Sequence, residues 1–360
     1  MKNFIRVTKP SLPSIDDYFN LTKKIWSTGI LTHNGPYVQK FEKKLKKILK
    51  VKNLSVVTNG TLAIQLAIKS LELKGEIITT PFTWIATIDA IIWEKCKPIF
   101  IDVEIDTFNI DANLIEKKIN KNTVAILGVH TFSNPCNVLK INKIAKKYNL
   151  KVIYDGAHSM FVNYKKKSIL TYGDVCATSL HATKILNAVE GGACISKNIY
   201  LDKKIKSLRF FGFDSKGNIE NFGINAKMTE VHAIMGILNL KNIKKVLSER
   251  KRQYLMYFNI LKKNQFLSFQ KFNSNSYNYS YMPIVVNSNK KLKHIVKLLN
   301  KNNYFPRRYF YPSLNKLKKL AVKQKFVNSE YLAERILCLP LYYGLEDHHI
   351  KKICKLINEK

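Results

Sequence analysis

The residues with the clearest chemical potential are His181-Ala182-Thr183-Lys184, followed closely by Glu190-Gly191-Gly192. Lys184 lies between two β-rich runs, 174–180 and 192–196, and Ser179 stands near the end of the first. An amine on a turn between two buried strands is desolvated, which lowers its pKa. Such an amine can condense with the aldehyde of a cofactor. The chain carries 61 Lys plus Arg among 360 residues, so a solvated surface lysine is the default. The case for Lys184 therefore rests on what the fold sets beside it.

Short β-branched runs alternate with helical stretches from residue 54 to about 196. Strands are expected at 54–58, 77–79, 98–102, 124–130, 151–155, 175–180 and 193–196. Helices are expected at 61–71, 85–93, 112–119 and 138–148. This alternation predicts an α/β fold with a doubly wound, mostly parallel sheet covered on both faces. A long helical region follows at 228–263, then a polar stretch at 273–280 suited to a loop. Beyond it lie strands at 281–286 and 304–308 and helices at 291–299 and 345–357. The reading is a large domain, 1–240, and a smaller C-terminal α+β domain, 241–360.

Parallel sheets present functional residues at the carboxyl ends of their strands. Thr58-Asn59-Gly60-Thr61 opens directly into a helix: Asn59 can cap it, Gly60 permits close approach, and the free amides form an anion site. Trp84, after Thr80-Pro81-Phe82-Thr83, is either core filler or a stacking plate for a flat cofactor. Asp155 ends the apolar run Val152-Ile153-Tyr154, where a carboxylate needs a partner or serves as a helix cap. Ser179 with Lys184 makes the fourth end. An anion hole, an aromatic plate, a buried carboxylate and a lysine are together what pyridoxal phosphate requires. The carboxylate keeps the ring an electron sink, and the lysine can carry a proton as base and acid.

Composition narrows the alternatives. Six scattered cysteines without a CxxC pair read as reduced, buried thiols of a cytoplasmic protein. The sequence shows no apolar signal core, and its longest weakly charged stretch, 77–93, is too broken for a membrane span. A formal charge of +36 would suit nucleic acid, yet the lysines are spread evenly and no basic module with interleaved aromatics occurs. The densest run, 42–50, carries Val38, Phe41, Leu45, Ile48 and Leu49 at helical spacing, so its lysines are the wet face of an amphipathic helix. No nucleic-acid or membrane partner is expected, and none of these features calls for a metal.

The chain resembles the DegT/DnrJ/EryC1/StrS sugar aminotransferases along essentially its whole length. The resemblance is carried by Gly29-Ile30-Leu31-Thr32-His33-Asn34-Gly35-Pro36, Thr58-Asn59-Gly60-Thr61, Pro81-Phe82-Thr83-Trp84, His130-Thr131-Phe132-Ser133-Asn134-Pro135, Gly223-Ile224-Asn225-Ala226-Lys227-Met228 and Arg307-Arg308-Tyr309-Phe310-Tyr311-Pro312. It implies a fold-type-I, aspartate-aminotransferase-like architecture and a homodimer with active sites at the subunit interface. It assigns Lys184 to the cofactor aldehyde, Asp155 to the pyridine nitrogen, Trp84 to ring stacking and His158 to the phenolic oxygen. Gly60, Thr61 and Ser179 would hold the phosphate, helped by Asn225 from the neighbouring subunit. Arg308, Tyr309 and Tyr311 would contribute to a sugar-nucleotide pocket.

Two positions depart from the family pattern: Ser133 replaces a glycine, and Gly156 replaces a common alanine. His-Ala-Thr-Lys with Asn187 and Glu-Gly-Gly resembles the branch that aminates C4 of dTDP-4-keto-6-deoxy-D-glucose with L-glutamate, for surface polysaccharide such as O-antigen. The same chemistry on a UDP- or GDP-linked sugar, or at C3, is the alternative. A non-catalytic regulator that keeps the fold is a further one. In the related 3-dehydratases a histidine replaces the lysine, and Lys184 speaks against that branch.

Overall fold

The computed structural model describes residues 4–359. Its main sheet runs in the order Leu54–Val57, Gly192–Ser196, Val175–Ser179, Lys151–Asp155, Thr123–Val129, Glu76–Thr79, Lys97–Phe100. Gly192–Ser196 is antiparallel to both of its neighbours, and the remaining pairs are parallel. Successive residues of each strand face opposite ways. Val56, Ile78, Ile126, Val152 and Cys176 therefore enter one core, and Val57, Ile77, Leu127, Ile153 and Ala177 the other. Burial on both faces explains why these strands read as unbroken apolar runs.

Helix Pro36–Leu49 buries Val38, Phe41, Leu45 and Leu49, as its spacing predicts, whereas Ile48 stays exposed. Its first amides, those of Tyr37 and Val38, each donate to the buried Glu230 carboxylate at 2.8 Å. A negative charge at that end complements the helix dipole. Helix Glu230–Lys241 crosses it closely at Gly236, where a Cβ would come within 2.3 Å of the Phe41 ring.

A second, antiparallel sheet joins Leu267–Phe269, Met282–Val286 and Ile336–Leu339. Helices Ile243–Leu261, Asn289–Lys301 and Asp347–Asn358 pack on it through Tyr257, Leu261, Leu292, Ile295, Ile350 and Ile353. Ile5–Arg6 pairs with Tyr304–Phe305, so the first described residues lie with this second part. Between the two parts, Phe82, Phe108 and Phe132 pack against Tyr281, Tyr309 and Phe310. That aromatic seam brings distant segments to one edge of the main sheet.

Several elements differ from expectation. Residues 112–119 contain only a 3-10 turn, Glu116–Lys118, because Ala112 and Ile115 are buried by irregular chain rather than by a helix face. The region 228–263 is two helices that part at Asn242. The polar stretch 273–280 includes Tyr277 and Tyr279, which are buried against Tyr254 and Phe272. Helices Ile15–Thr28, Ile199–Leu208 and Val327–Arg335 were not foreseen. All six cysteines are free and buried. Among the described residues no helix is long and apolar enough to cross a membrane.

Candidate active site

The carboxyl ends of the parallel strands open onto a cavity of about 260 Å³, lined by Gly60, Thr61, Trp84, Asp155, Ser179 and Lys184, among others. At one end Asn59 caps helix Gly60–Ser70, its side chain accepting from the Leu62 amide at 2.8 Å. The first helical bond runs from Ala63 N–H to the Asn59 carbonyl, so the Gly60 and Thr61 amides precede it and are free for an anion. The cradle is tight. A Cβ at Gly60 would meet Ser179 Cβ at 3.0 Å, and one at Gly192 would meet the Asn59 carbonyl oxygen at 2.4 Å.

Lys184 sits on the connection between Val175–Ser179 and the antiparallel Gly192–Ser196. That connection is closed by Leu180 N–H to Gly191 O (2.7 Å), Ala188 N–H to Leu180 O (2.8 Å) and Lys184 N–H to His181 O (2.9 Å). Burial lowers the Lys184 pKa to about 8, with Asp155 opposing that shift and Arg307 adding to it. Tyr281 accepts a hydrogen bond from Lys184 Nζ at 3.4 Å.

Asp155 is 7% exposed. Its Oδ2 accepts from Thr87 Oγ1 at 2.8 Å and its Oδ1 from the Ala157 amide at 3.0 Å. Burial raises its pKa, and those two donors with Lys184 pull it back. Thr87 is itself 2.8 Å from Thr83 Oγ1. The carboxylate is thus held by neutral donors and still faces the cavity, with no cationic hydrogen-bond partner among the described residues.

His158 stacks on Phe132, with ring centroids 5.9 Å apart and planes within 5°. Its Nδ1 accepts from the Phe132 amide at 3.2 Å. Burial, with a contribution from Lys184, holds its pKa well below the usual value. The neutral ring then carries its proton on Nε2, which makes that nitrogen a donor. His181, from the opening motif, holds Thr183 Oγ1 at 2.9 Å through Nδ1, and its Nε2 lies 3.5 Å from Glu190 Oε1.

Trp84, 47% exposed, stands at the cavity wall with the Arg307 guanidinium carbon 5.3 Å from its ring centroid. Tyr309 is buried and also lines the cavity. Arg308 is turned elsewhere: its guanidinium donates to the Ala333 and Glu334 carbonyls at 3.3 and 2.9 Å and lies 3.4 Å from the Tyr311 ring centroid. Tyr311 is 52% exposed and does not line the cavity. The expected contribution of Arg308 and Tyr311 to this chain's own pocket is replaced by that of Arg307. Neighbouring residues of an extended segment project oppositely, and the sequence does not say which one faces in. Asn225 also lies outside the cavity, paired with Phe210 and accepting from Lys227 Nζ at 2.5 Å. Sequence reasoning placed the segment 307–312 at the pocket without singling out Arg307, and it did not single out Tyr281 or Thr87.

The two departures have local accounts. Ser133 takes φ of +75° and Phe132 +52°, so this turn keeps a glycine-favouring conformation with a side chain in it. At Gly156 an alanine would have no room. A Cβ would approach Cys176 Sγ at 2.8 Å and Leu170 Cδ2 at 2.9 Å.

A doubly wound sheet with a lowered-pKa lysine, a buried carboxylate and an amide cradle converging at its strand ends defines a pyridoxal-phosphate enzyme of fold type I. The chain belongs to the DegT/DnrJ/EryC1/StrS aminotransferase family, whose model matches residues 15–358. It is 37% identical to a dTDP-4-amino-4,6-dideoxy-D-glucose transaminase of Escherichia coli, with 98% of each chain covered. It is 38% identical to the protein of that name from Shigella dysenteriae over 100% of both chains. Among solved structures it matches DesI in the presence of its TDP-sugar product, with a TM-score of 0.94 and 26% identity over 99% of this chain and 93% of that one. The protein is an aminotransferase, and pyridoxal phosphate is its cofactor.

The residues present fit that cofactor. The glycine-dependent cradle at Gly60 and Ser179 suits a phosphate, and the neutral donors around Asp155 leave its charge available to a ring N–H. When bound, pyridoxal phosphate supplies an electrophilic carbonyl and a ring that accepts electron density from the substrate carbon.

Proposed function

We propose that the protein moves the amino group of L-glutamate to C4 of dTDP-4-keto-6-deoxy-D-glucose, giving dTDP-4-amino-4,6-dideoxy-D-glucose for a surface glycan, in the cytoplasm. The single observation that carries this reading is the half-buried Lys184 amine in one cavity with Asp155, in a chain alike from end to end to transaminases named for that product. Lys184 Nζ would take up the proton from the substrate carbon that bears nitrogen and release it again within the same site. A pKa of about 8 lets one amine do both near neutral pH. Asp155 would hold a proton on the facing ring nitrogen by its charge. Gly60, Thr61 and Ser179 would bind the phosphate, Trp84 would bound the ring, and His158 would donate from Nε2 to the phenolic oxygen.

Arg307 supports the choice of an amino acid as donor. Its guanidinium lines the cavity beside Trp84 and Tyr309, and among the described residues no carboxylate pairs with it. A planar guanidinium binds a carboxylate through two parallel hydrogen bonds. We read the division into domains 1–240 and 241–360 as the one across which the cavity is built.

We also read the working unit as a homodimer with shared sites. The segment that carries Asn225 exposes Phe211, Ile219, Ile224 and Phe222, the last 92% exposed, which suits a surface covered by a second copy. Asn225 would then complete the partner's phosphate cradle. Co-expressed Lys184→Ala and Asn225→Ala chains should regain up to about half the activity per heterodimer, because both lesions fall on one of two sites. Full inactivity of verified heterodimers would refute the shared site.

The whole reading is tested with purified protein, pyridoxal phosphate and glutamate. Protein that binds the cofactor should be yellow, and its absorbance should shift on adding glutamate. NMR of products from dTDP-, UDP- and GDP-linked 4-keto-6-deoxy sugars identifies the acceptor. A protein that takes up no cofactor, or one that aminates only a UDP- or GDP-linked sugar, overturns the stated function.

A further inference from the structure

We propose that Tyr281 is the positioning residue for Lys184: its hydroxyl oxygen holds one N–H of the free amine and thereby aims the lone pair into the cavity. This inference rests on the transaminase reading and adds to it a residue from the second part of the chain. Among the described residues, Tyr281 Oη is the side-chain hydrogen-bond partner of Lys184 Nζ, at 3.4 Å. The contact spans 97 residues of sequence. Tyr281 directly precedes strand Met282–Val286, is 3% exposed, and packs its ring against His158 at 4.6 Å, Tyr309 at 5.0 Å and Phe132 at 5.5 Å. A tyrosine so confined has little freedom to move its hydroxyl, which is what an aiming contact needs.

The backbone beside it is fixed by an unusual anchor. Arg250, on helix Ile243–Leu261, is 3% exposed and donates to the Ser280 and Leu341 carbonyls at 3.0 Å each. It has no carboxylate partner among the described residues, and its Nε has no hydrogen-bond partner. Burying an unpaired guanidinium is costly, so its placement one residue from Tyr281 suggests a local use.

The charged and titratable groups that face this pair are Asp155, His158, Arg250, Arg307, Tyr309 and Cys338. Burial pushes the Tyr281 phenol up to about 12, with Tyr309 and the two arginines offsetting part of that. The phenol thus keeps its own proton throughout the range in which Lys184 changes state. It accepts a hydrogen bond from either form of the amine and takes no proton from it. The proton that Lys184 removes from the substrate carbon stays on Nζ until Lys184 returns it.

Tyr281→Phe retains the ring and removes the oxygen. In cofactor-free protein, the pH dependence of Lys184 acetylation, read by mass spectrometry, should show the Lys184 pKa falling below the wild-type value. The lost bond was stronger to the charged ammonium than to the neutral amine. In the loaded enzyme the cofactor absorbance should persist and KM should stay within about threefold, while kcat drops by about ten- to a hundredfold, the scale of one hydrogen bond to a charged group. Tyr281→His, which returns a polar atom, should recover part of kcat. If Tyr281→Phe titrates Lys184 and turns over as the wild type does, the proposal is wrong. A wild-type protein that binds no pyridoxal phosphate would instead sink the transaminase reading, a result the Lys184 titration does not depend on.

Discussion

Lysine stands at both ends of the main sheet, singly at one and in a group at the other, and the two settings hold it in opposite ways. At the carboxyl end of the parallel strands, Lys184 stands in a cavity with Asp155, and burial brings its pKa down to about 8. At the other end, where Asn53 enters the sheet and Ser196 leaves it, Lys50, Lys52, Lys166, Lys167 and Lys197 line a larger cavity of about 630 Å³. All five are exposed, and Lys197 lies 3.4 Å from Asp174. Water solvates those ammonium groups. The contrast shows that density of positive charge does not make a reactive amine. Removal from water does.

The largest effect expected from this contrast is on turnover. Lys184→Ala should lower activity by more than about a thousandfold, since no other group carries the proton. Joint replacement of Lys50, Lys166 and Lys197 by Gln should leave it within about twofold and melting within about 0.5 kcal/mol. Steady-state rates of the two variants side by side decide the matter, and equal damage would end the comparison.

Asp155→Asn comes next. It keeps the hydrogen-bonding shape but removes the charge, so kcat should fall by about a hundredfold, or roughly 3 kcal/mol. The bound cofactor's absorbance should shift because its ring nitrogen loses a proton. An unchanged spectrum would show that Asp155 does not face the ring.

A smaller effect concerns stability. In cofactor-free protein the Lys184 pKa lies below its unfolded value, so the unfolded chain binds more protons between about pH 8 and 10.4 and stability rises with pH across that window. Below about pH 8 the full cost of charging the buried amine is present. Lys184→Met should therefore melt higher than wild type at pH 7, by about 1–2 kcal/mol, and the gap should close toward pH 10. A constant Lys184→Met gap would place the amine in water.

Much of the cavity's lining was legible because each signal was local. Gly60 after Asn59 marks a capped helix start, Asp155 ends an apolar strand, and Lys184 lies between two β-rich runs. Arg307 and Arg308 were not separable in this way. They are adjacent and alike in chemistry, and only the packing of Arg308 onto the Ala333 and Glu334 carbonyls turns Arg307 toward Trp84. The stretch 273–280 misled for a related reason. Its serines and asparagines read as solvent-loving, while Tyr277, Tyr279 and Asn278 are buried by segments distant in sequence.

The order of strands and helices from residue 54 to 196, and the residues at four strand ends, follow from side-chain periodicity and turn chemistry, which act over a few residues. They sufficed to indicate the cofactor and the reaction class. The tertiary structure alone decided that Tyr281 meets Lys184, that Thr87 supports Asp155, and that Arg307 rather than Arg308 looks into the cavity. Those contacts join segments 68 to 97 residues apart, or turn on the direction of one side chain. They arise only once the aromatic seam of Phe82, Phe132, Tyr309 and Phe310 has closed the second sheet onto the first. Burial then sets the proton affinity of Lys184, and burial is a property of the assembled chain.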